Sequence, residues 1–110
     1  MHTLKQLNSG ELKGIKRLQI AENLTQFPPA IYDLADSLEI LDLSNNALTD
    51  LPDDLDRLTK LRIVFCSNNQ FSELPEVLGR CSKLEMIGFK NNQITLETII
   101  SNSKVQSQTQ

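Results

Sequence analysis

The side chains able to do chemistry in this sequence are few, and they form no recognisable catalytic set. They are one histidine, two cysteines and a run of aspartates, namely His2, Cys66, Cys81, Asp53, Asp54 and Asp56. A glycine-rich phosphate loop, a nucleophile elbow and metal-ligand spacing are all missing from the sequence, so nothing can be assembled into a reaction centre. We therefore predict that the protein is not an enzyme and has no catalytic, cofactor-binding or metal-binding residues.

The two cysteines have two interpretations. They could form a redox pair, or they could be small apolar core residues, because Cys66 and Cys81 lie 23 positions beyond Leu43 and Leu58. Free cysteine is commonly buried, which favours the core. The aspartate run likewise has two interpretations, a carboxylate cluster or a solvated face. Its place on a predicted helical segment favours the solvated face.

Composition and charge exclude several classes of partner. The formal net charge is −3, which gives no electrostatic reason to expect nucleic acid or an anionic membrane. No run of about 18 apolar residues is present, and the first residues, MHTLKQLNSGELKGIKRL, are too polar for a signal peptide. We expect a cytoplasmic protein without cofactors.

The dominant feature of the sequence is an internal repeat. LDLSNNALTDLP (41–52) returns as VFCSNNQFSELP (64–75) and as IGFKNNQIT (87–95), and LQIAENLTQFP (18–28) is one residue shorter. The repeats start at Ile15, Leu38, Leu61 and Leu84, each 23 residues after the last.

One lap, residues 38–60, predicts a strand, a turn and a short helical segment. The alternation in LEILDLS is typical of a strand buried on one face, and Asn45-Asn46 ends it. Pro52 then starts a helical turn. The apolar residues that should face inward are Leu38, Leu41, Leu43, Leu48, Leu51, Leu55 and Leu58. A single lap cannot bury so many, so the laps must stack and their strands must form a parallel sheet.

The pattern LxxLxLxxNxLxxLPxxLxxLxx resembles the leucine-rich repeat over residues 15–95. The resemblance implies an α/β fold, a short right-handed solenoid with parallel strands on its concave face and short helical or 3-10 segments on its convex face. The expected units are an N-terminal cap or half-repeat (1–14), the repeats 15–37, 38–60, 61–83 and the partial repeat 84–95, and an atypical cap with a polar tail (96–110). In the cap at 1–14, Leu4 and Leu7 predict a short helix and His2 is expected to be solvated.

The resemblance also implies a role for one asparagine in each lap. In the family this side chain turns inward and bonds the backbone of adjacent turns, which would satisfy groups buried between laps. The matching residues are Asn23, Asn46, Asn69 and Asn92. The preceding asparagines, such as Asn68, are expected to point to solvent.

Outward strand positions are the candidate binding residues. They comprise an apolar column with Phe65 beside it and flanking charges, and the predicted partner-binding set is Arg17, Ile40, Asp42, Ile63, Phe65, Met86 and Lys90. Exposed apolar residues on a concave sheet indicate a protein partner. The alternative is that β-branched residues such as Ile40 and Ile63 merely favour strands.

Three functions remain open at this stage. The leading prediction is a non-catalytic protein-protein interaction module. The second follows from similarity to the N-terminal repeats of bacterial leucine-rich-repeat protein-kinase-like proteins, and makes the chain the regulatory or recognition arm of such an enzyme. The third is a secreted effector. We also expect a weak homodimer through the C-terminal edge of the sheet, because an edge strand invites pairing.

Overall fold

The structure is a computed structural model, and it describes residues 1–95 of the chain. Its helix and strands are α1 (Leu4–Ser9), β1 (Arg17–Gln19), β2 (Ile40–Asp42), β3 (Ile63–Phe65) and β4 (Met86–Gly88). Three 3-10 helices connect the strands, at Pro29–Leu34, Leu55–Arg57 and Glu76–Arg80. The C-terminal cap predicted from Leu96, Ile99 and Ile100, with the tail that follows, lies outside the described residues.

The four strands form one parallel sheet in chain order, β1-β2-β3-β4. Each residue pairs with the residue 23 positions further along, as in Arg17↔Ile40 and Ile40↔Ile63. The same step pairs Ile63 with Met86. The repeat length of the sequence is therefore also the hydrogen-bond register of the sheet, and equivalent residues of successive laps stand in columns.

The core lies behind the sheet and is built mainly from stacked leucines. Each inward leucine predicted for the lap 38–60 is buried, and most have no exposed surface. Burying a leucine side chain contributes about 1.5–3 kcal/mol, so these columns supply most of the force that holds the laps together. Phe71 replaces a leucine without changing the pattern and meets Phe89 edge-on, at 5.1 Å between ring centroids.

The segments that carry the 3-10 helices, called the arcs below, return the chain behind the core. Proline sets the start of each. Pro28 precedes the first 3-10 helix, the carbonyl of Pro52 accepts the N–H of Leu55 at 3.1 Å, and the carbonyl of Pro75 accepts that of Leu78 at 3.2 Å. These are i→i+3 bonds, which close the tight turns of a 3-10 helix.

The N-terminal helix α1 packs against the first 3-10 helix, Pro29–Leu34. Thr3 and Gln6 form a capping box at its start, with Gln6 N–H donating to Thr3 Oγ1 at 3.1 Å and Thr3 N–H donating to Gln6 Oε1 at 3.0 Å. The helix buries Leu7, and Gly10 ends it at a φ of 84°. The short helix predicted from Leu4 and Leu7 is confirmed.

The expectation that His2 is solvated is wrong. His2 forms a parallel bridge with Ile20. Its N–H donates to the carbonyl of Gln19 at 2.7 Å, and its Nδ1 accepts the N–H of Gln19 at 3.1 Å. His2 thus satisfies the backbone groups of Gln19 at the outer edge of β1. The type of residue at position 2 alone could not predict this contact.

Both cysteines are buried and free, as the core interpretation predicted. Cys66 has no exposed surface and stands in the column of Leu43. Burial raises the pKa of the Cys66 thiol to about 12, and the nearby Asp42 charge adds to this. Burial also raises the pKa of the Cys81 thiol.

The raised pKa of Cys66 makes stability depend on alkaline pH. In the unfolded chain the thiol ionises at about 8.5, whereas in the folded chain it stays protonated up to about pH 12. The contribution is therefore complete below pH 8.5 and is lost as pH rises towards 12, by up to about 1.4 kcal/mol per pH unit. We expect the unfolding free energy in urea to fall more steeply between pH 9 and 11 for the parent than for Cys66→Val. Parallel declines would show that this thiol is not responsible.

Candidate protein-binding surface

The outward side chains of the four strands form one surface, called the strand face below. Its first column contains Arg17, Ile40, Ile63 and Met86, which stand in register. Arg17 and Met86 are exposed, and Ile40 and Ile63 are half-buried. Three apolar side chains from three consecutive strands therefore lie side by side and remain open to solvent.

The second column of the strand face differs from what the sequence predicted. Asp42 is only 9% exposed, and its carboxylate accepts the N–H of Ser44 at 3.0 Å. This aspartate was predicted to be available to a partner, but it is occupied in closing the turn after β2. A short acidic side chain two residues before a backbone N–H forms such a turn readily.

Phe65, in the same column, leans over the last strand. A side-chain carbon added to Gly88 would lie 2.8 Å from Phe65 Cδ1. Only glycine leaves room for the ring there, so Gly88 and Phe65 form one packed unit. The half-buried state of Phe65 follows from this contact, and the exposed part of its ring adjoins the apolar column.

A column of alternating charge runs along one border of the strand face, and sequence reasoning missed it. The residues immediately before the four strands are Lys16, Glu39, Arg62 and Glu85. Arg62 donates to Glu85 at 2.8 Å and to Glu39 at 3.3 Å, and these carboxylates raise the pKa of its guanidinium. Reading residues 23 apart as spatial neighbours would have revealed the alternation.

The remaining charges on the strand face are cationic and lie at its two ends. Arg17 is exposed on β1 and Lys90 is exposed just after β4, and neither forms an ion pair within residues 1–95. The acidic residues of this side are engaged, Asp42 in its turn and both glutamates with Arg62. The surface therefore presents an apolar centre between two unpaired cations.

Three inward asparagines connect successive laps behind the strand face. Asn69 Nδ2 donates to the carbonyls of Leu43 and Cys66 at 3.0 and 3.1 Å, and its Oδ1 accepts the N–H of Leu48 at 2.9 Å. Asn46 bonds Ile20, Leu43 and Leu24 in the same way. Asn92 repeats the arrangement with Cys66, Phe89 and Phe71. These contacts satisfy backbone groups that the stacking of laps removes from water.

Asn23 does not belong to this inward set, which corrects the prediction. It is exposed and has a φ of 55°, the left-handed conformation shared by Asn45, Asn68 and Asn91. The first lap has 23 residues like the others, but its segment 18–28 is one residue shorter than the matching segments, and the missing position is that of the inward asparagine. The backbone N–H groups of Glu22 and Leu24 are bonded instead by Asn46 of the next lap.

The outer asparagines have a role that the sequence did not indicate. Asn68 Nδ2 donates to Asn45 Oδ1, and Asn91 Nδ2 donates to Asn68 Oδ1, both at 2.9 Å. Each also takes a φ of 55–62°, where asparagine is tolerated far better than most residues. The Asn-Asn pairs of the second, third and fourth laps thus have two tasks: the first asparagine forms a tight outer turn and the second makes the inner set of bonds.

The aspartates of the second arc are engaged in surface contacts. Asp54 accepts hydrogen bonds from Tyr32 Oη at 2.5 Å and from Arg57 at 3.2 Å, and these bonds lower its pKa. Asp53 is paired with Arg80 at 3.4 Å. No group of three or more His, Cys, Asp or Glu side chains within residues 1–95 could hold a metal ion. Across the same residues, no helix is long and apolar enough to cross a membrane.

Comparison with known families identifies the repeat. The sequence profile of the family "Leucine Rich repeats (2 copies)" matches residues 36–79, which cover the second lap and most of the third. The chain contains leucine-rich repeats. Its parallel sheet and 3-10 arcs confirm the predicted fold class, a short α/β leucine-rich-repeat solenoid.

Solved structures agree with this assignment. The leucine-rich repeat chain matches 21 chains of known structure. One belongs to a leucine-rich repeat protein of Leptospira interrogans, with a TM-score of 0.69 and 24% sequence identity. The match covers 90% of this chain and 31% of that chain, so the likeness concerns the fold of about a third of the larger protein. No curated protein sequence matches the chain.

Proposed function

We propose that these leucine-rich repeats are a non-catalytic protein-interaction module that binds a protein partner through the strand face. The observation that carries the proposal is the column of Ile40, Ile63 and Met86, three open apolar side chains in register on one sheet. Repeat solenoids present extended surfaces of this kind to their partners. A partner would cover the apolar column and meet the exposed cations Arg17 and Lys90 at its ends.

The packing of Phe65 refines how the surface would be used. Because the ring is already held over Gly88, binding would cost little side-chain ordering there. Rigid aromatic side chains in partly desolvated positions are the residues that most often dominate binding energy. Phe65 therefore supports the proposal as an anchor beside the apolar column.

A charge placed in the middle of the strand face should abolish binding. Affinity capture from cells that contain the protein, with the parent and Ile63→Lys as baits, tests this. We expect proteins retained by the parent to be lost with Ile63→Lys, because a buried unpaired ammonium in an interface is costly. Thr59→Lys is the matched control, since Thr59 is exposed on the second arc. Equal retention by all three baits would contradict binding at the strand face.

The second candidate keeps the same surface but changes its context. In it, the repeats are the recognition arm of a larger protein-kinase-like enzyme. It rests on the similarity of the N-terminal repeats to those of bacterial kinase-like proteins. The reading frame beyond residue 110 decides between the two, because a kinase domain would carry a glycine-rich loop and a catalytic-loop aspartate.

We propose a cytoplasmic location for the module. The free thiols of Cys66 and Cys81 support it, because cysteines of cytoplasmic proteins are kept reduced. Cell fractionation with an antibody to the chain is the test. Recovery from culture supernatant would instead favour a secreted effector that binds host proteins.

A further inference from the structure

The C-terminal edge of the sheet exposes residues that other laps bury. Ile87 stands in the column of Leu18, Leu41 and Val64, which have no exposed surface, yet it is 38% exposed. Its neighbour Met86 is 49% exposed. Apart from Met1, these are the exposed large hydrophobic residues of the described chain. The edge is therefore the place within residues 1–95 where the core reaches solvent.

The backbone of β4 is also half unpaired. Met86 N–H donates to the carbonyl of Arg62, and the carbonyl of Gly88 accepts the N–H of Cys66, so residues 86 and 88 point towards β3. Backbone groups alternate in direction along a strand. The N–H and C=O of Ile87, the C=O of Glu85 and the N–H of Phe89 therefore point to the open edge, where no described residue meets them. The other two groups are already bonded, since Glu85 N–H donates to the carbonyl of Arg62 at 2.7 Å and the carbonyl of Phe89 accepts Asn92 Nδ2 at 3.0 Å.

We propose that this edge pairs antiparallel with the same edge of a second copy, with Ile87 opposite Ile87. The proposal goes beyond the strand-face function and does not depend on it. Hydrogen bonds between two such edges require odd-numbered residues to face odd-numbered residues, because only these point outward. The two-fold operation that centres on Ile87 satisfies this requirement and closes the pair without leaving a further edge.

Charge selects this register over its neighbours. Centring on Glu85 would set two carboxylates against each other, and centring on Phe89 would set Ile87 against the polar Asn91. Centring on Ile87 places Glu85 opposite Phe89 and the two Ile87 side chains opposite each other. No like charges then face each other. Such an edge is small, and interfaces below about 1,200 Å² are weak and transient.

Sedimentation of the full chain from about 10 μM to 1 mM tests the pairing. We expect the parent to move from monomer towards dimer as concentration rises, and Ile87→Lys to remain monomeric. Ile63→Lys is the matched control, because it places the same charge on β3 away from the edge, and it should still dimerise. A parent that stays monomeric to 1 mM overturns the proposal. So does a dimer that survives Ile87→Lys or that is lost with Ile63→Lys.

Amide hydrogen exchange locates the contact independently of any variant. The amides of Ile87 and Phe89 should exchange several-fold more slowly at 1 mM than at 10 μM, while that of the exposed Thr59 stays constant. Concentration-independent protection of Ile87 would mean that the same chain covers its own edge, which overturns pairing with a second copy. Because the exchange of the Ile87 amide is measured on the parent chain, this result stays decisive even where Ile87→Lys fails to fold.

Discussion

Leu43→Ala should destabilise the leucine-rich repeat protein by about 2–5 kcal/mol, the range found for leucine truncations in cores. Leu43 has no exposed surface and lies between Ile20 and Cys66 in the same column. Its N–H donates to the carbonyl of Phe65 at 2.8 Å, which fixes the backbone on both sides of the cavity. The stacked laps therefore cannot collapse to fill the space.

Urea denaturation followed by circular dichroism measures this loss. Thr49→Ala is the control, because Thr49 is exposed in the same lap and surface substitutions usually stay within about 0.5 kcal/mol. A change below about 0.5 kcal/mol for Leu43→Ala as well would mean that this column is not the core.

Asn69→Ala should cost about 1–3 kcal/mol, the penalty for leaving buried polar groups unpaired. Asn69 is 7% exposed and bonds backbone groups of two laps, including Leu43, Leu48 and Cys66. Alanine would remove every partner at once, and the space between laps leaves little room for water. The same urea titration detects the effect, and a variant as stable as the parent would refute the role given to the inward asparagines.

Asn68 supplies the matched controls, because it adjoins Asn69 but faces solvent. The solvent-facing position predicted for Asn68 would by itself make Asn68→Ala nearly neutral. Since Asn68 has a φ of 55°, alanine there should cost about 1 kcal/mol through backbone strain, whereas Asn68→Gly relieves the strain and loses only the exposed bonds to Asn45 and Asn91. A larger loss for Asn68→Gly than for Asn68→Ala would contradict the backbone explanation.

The repeat made much of the fold predictable. Leu38 and Leu61, 23 residues apart, must occupy equivalent places if laps stack, and both are buried. The same step predicted that Ile40 and Ile63 are neighbours on adjacent strands, and the sheet pairs them. The sequence is therefore enough to predict the position of a side chain that packs only against the equivalent residues of neighbouring laps.

Predictions failed where local hydrogen bonds to the backbone, or the local backbone conformation, decide the position of a side chain. The carboxylate of Asp42 accepts the N–H of Ser44, and His2 pairs with the edge of β1. Asn23 takes the conformation of the outer asparagines because the turn segment of the first lap is one residue shorter. None of these follows from hydrophobic periodicity. The Phe65–Gly88 contact was missed for a related reason. The missing side chain of Gly88 is informative only once β3 and β4 are known to place it beside Phe65.

Binding at the strand face is tested most directly by amide chemical shifts. The nitrogen-15-labelled chain would be recorded alone and with the partner recovered by affinity capture. We expect the largest changes at Ile40, Ile63 and Met86, with smaller ones at Arg17 and Lys90, and none at Thr59 on the second arc. Changes concentrated on the arcs, with the strand residues unmoved, would contradict the strand face as the binding surface.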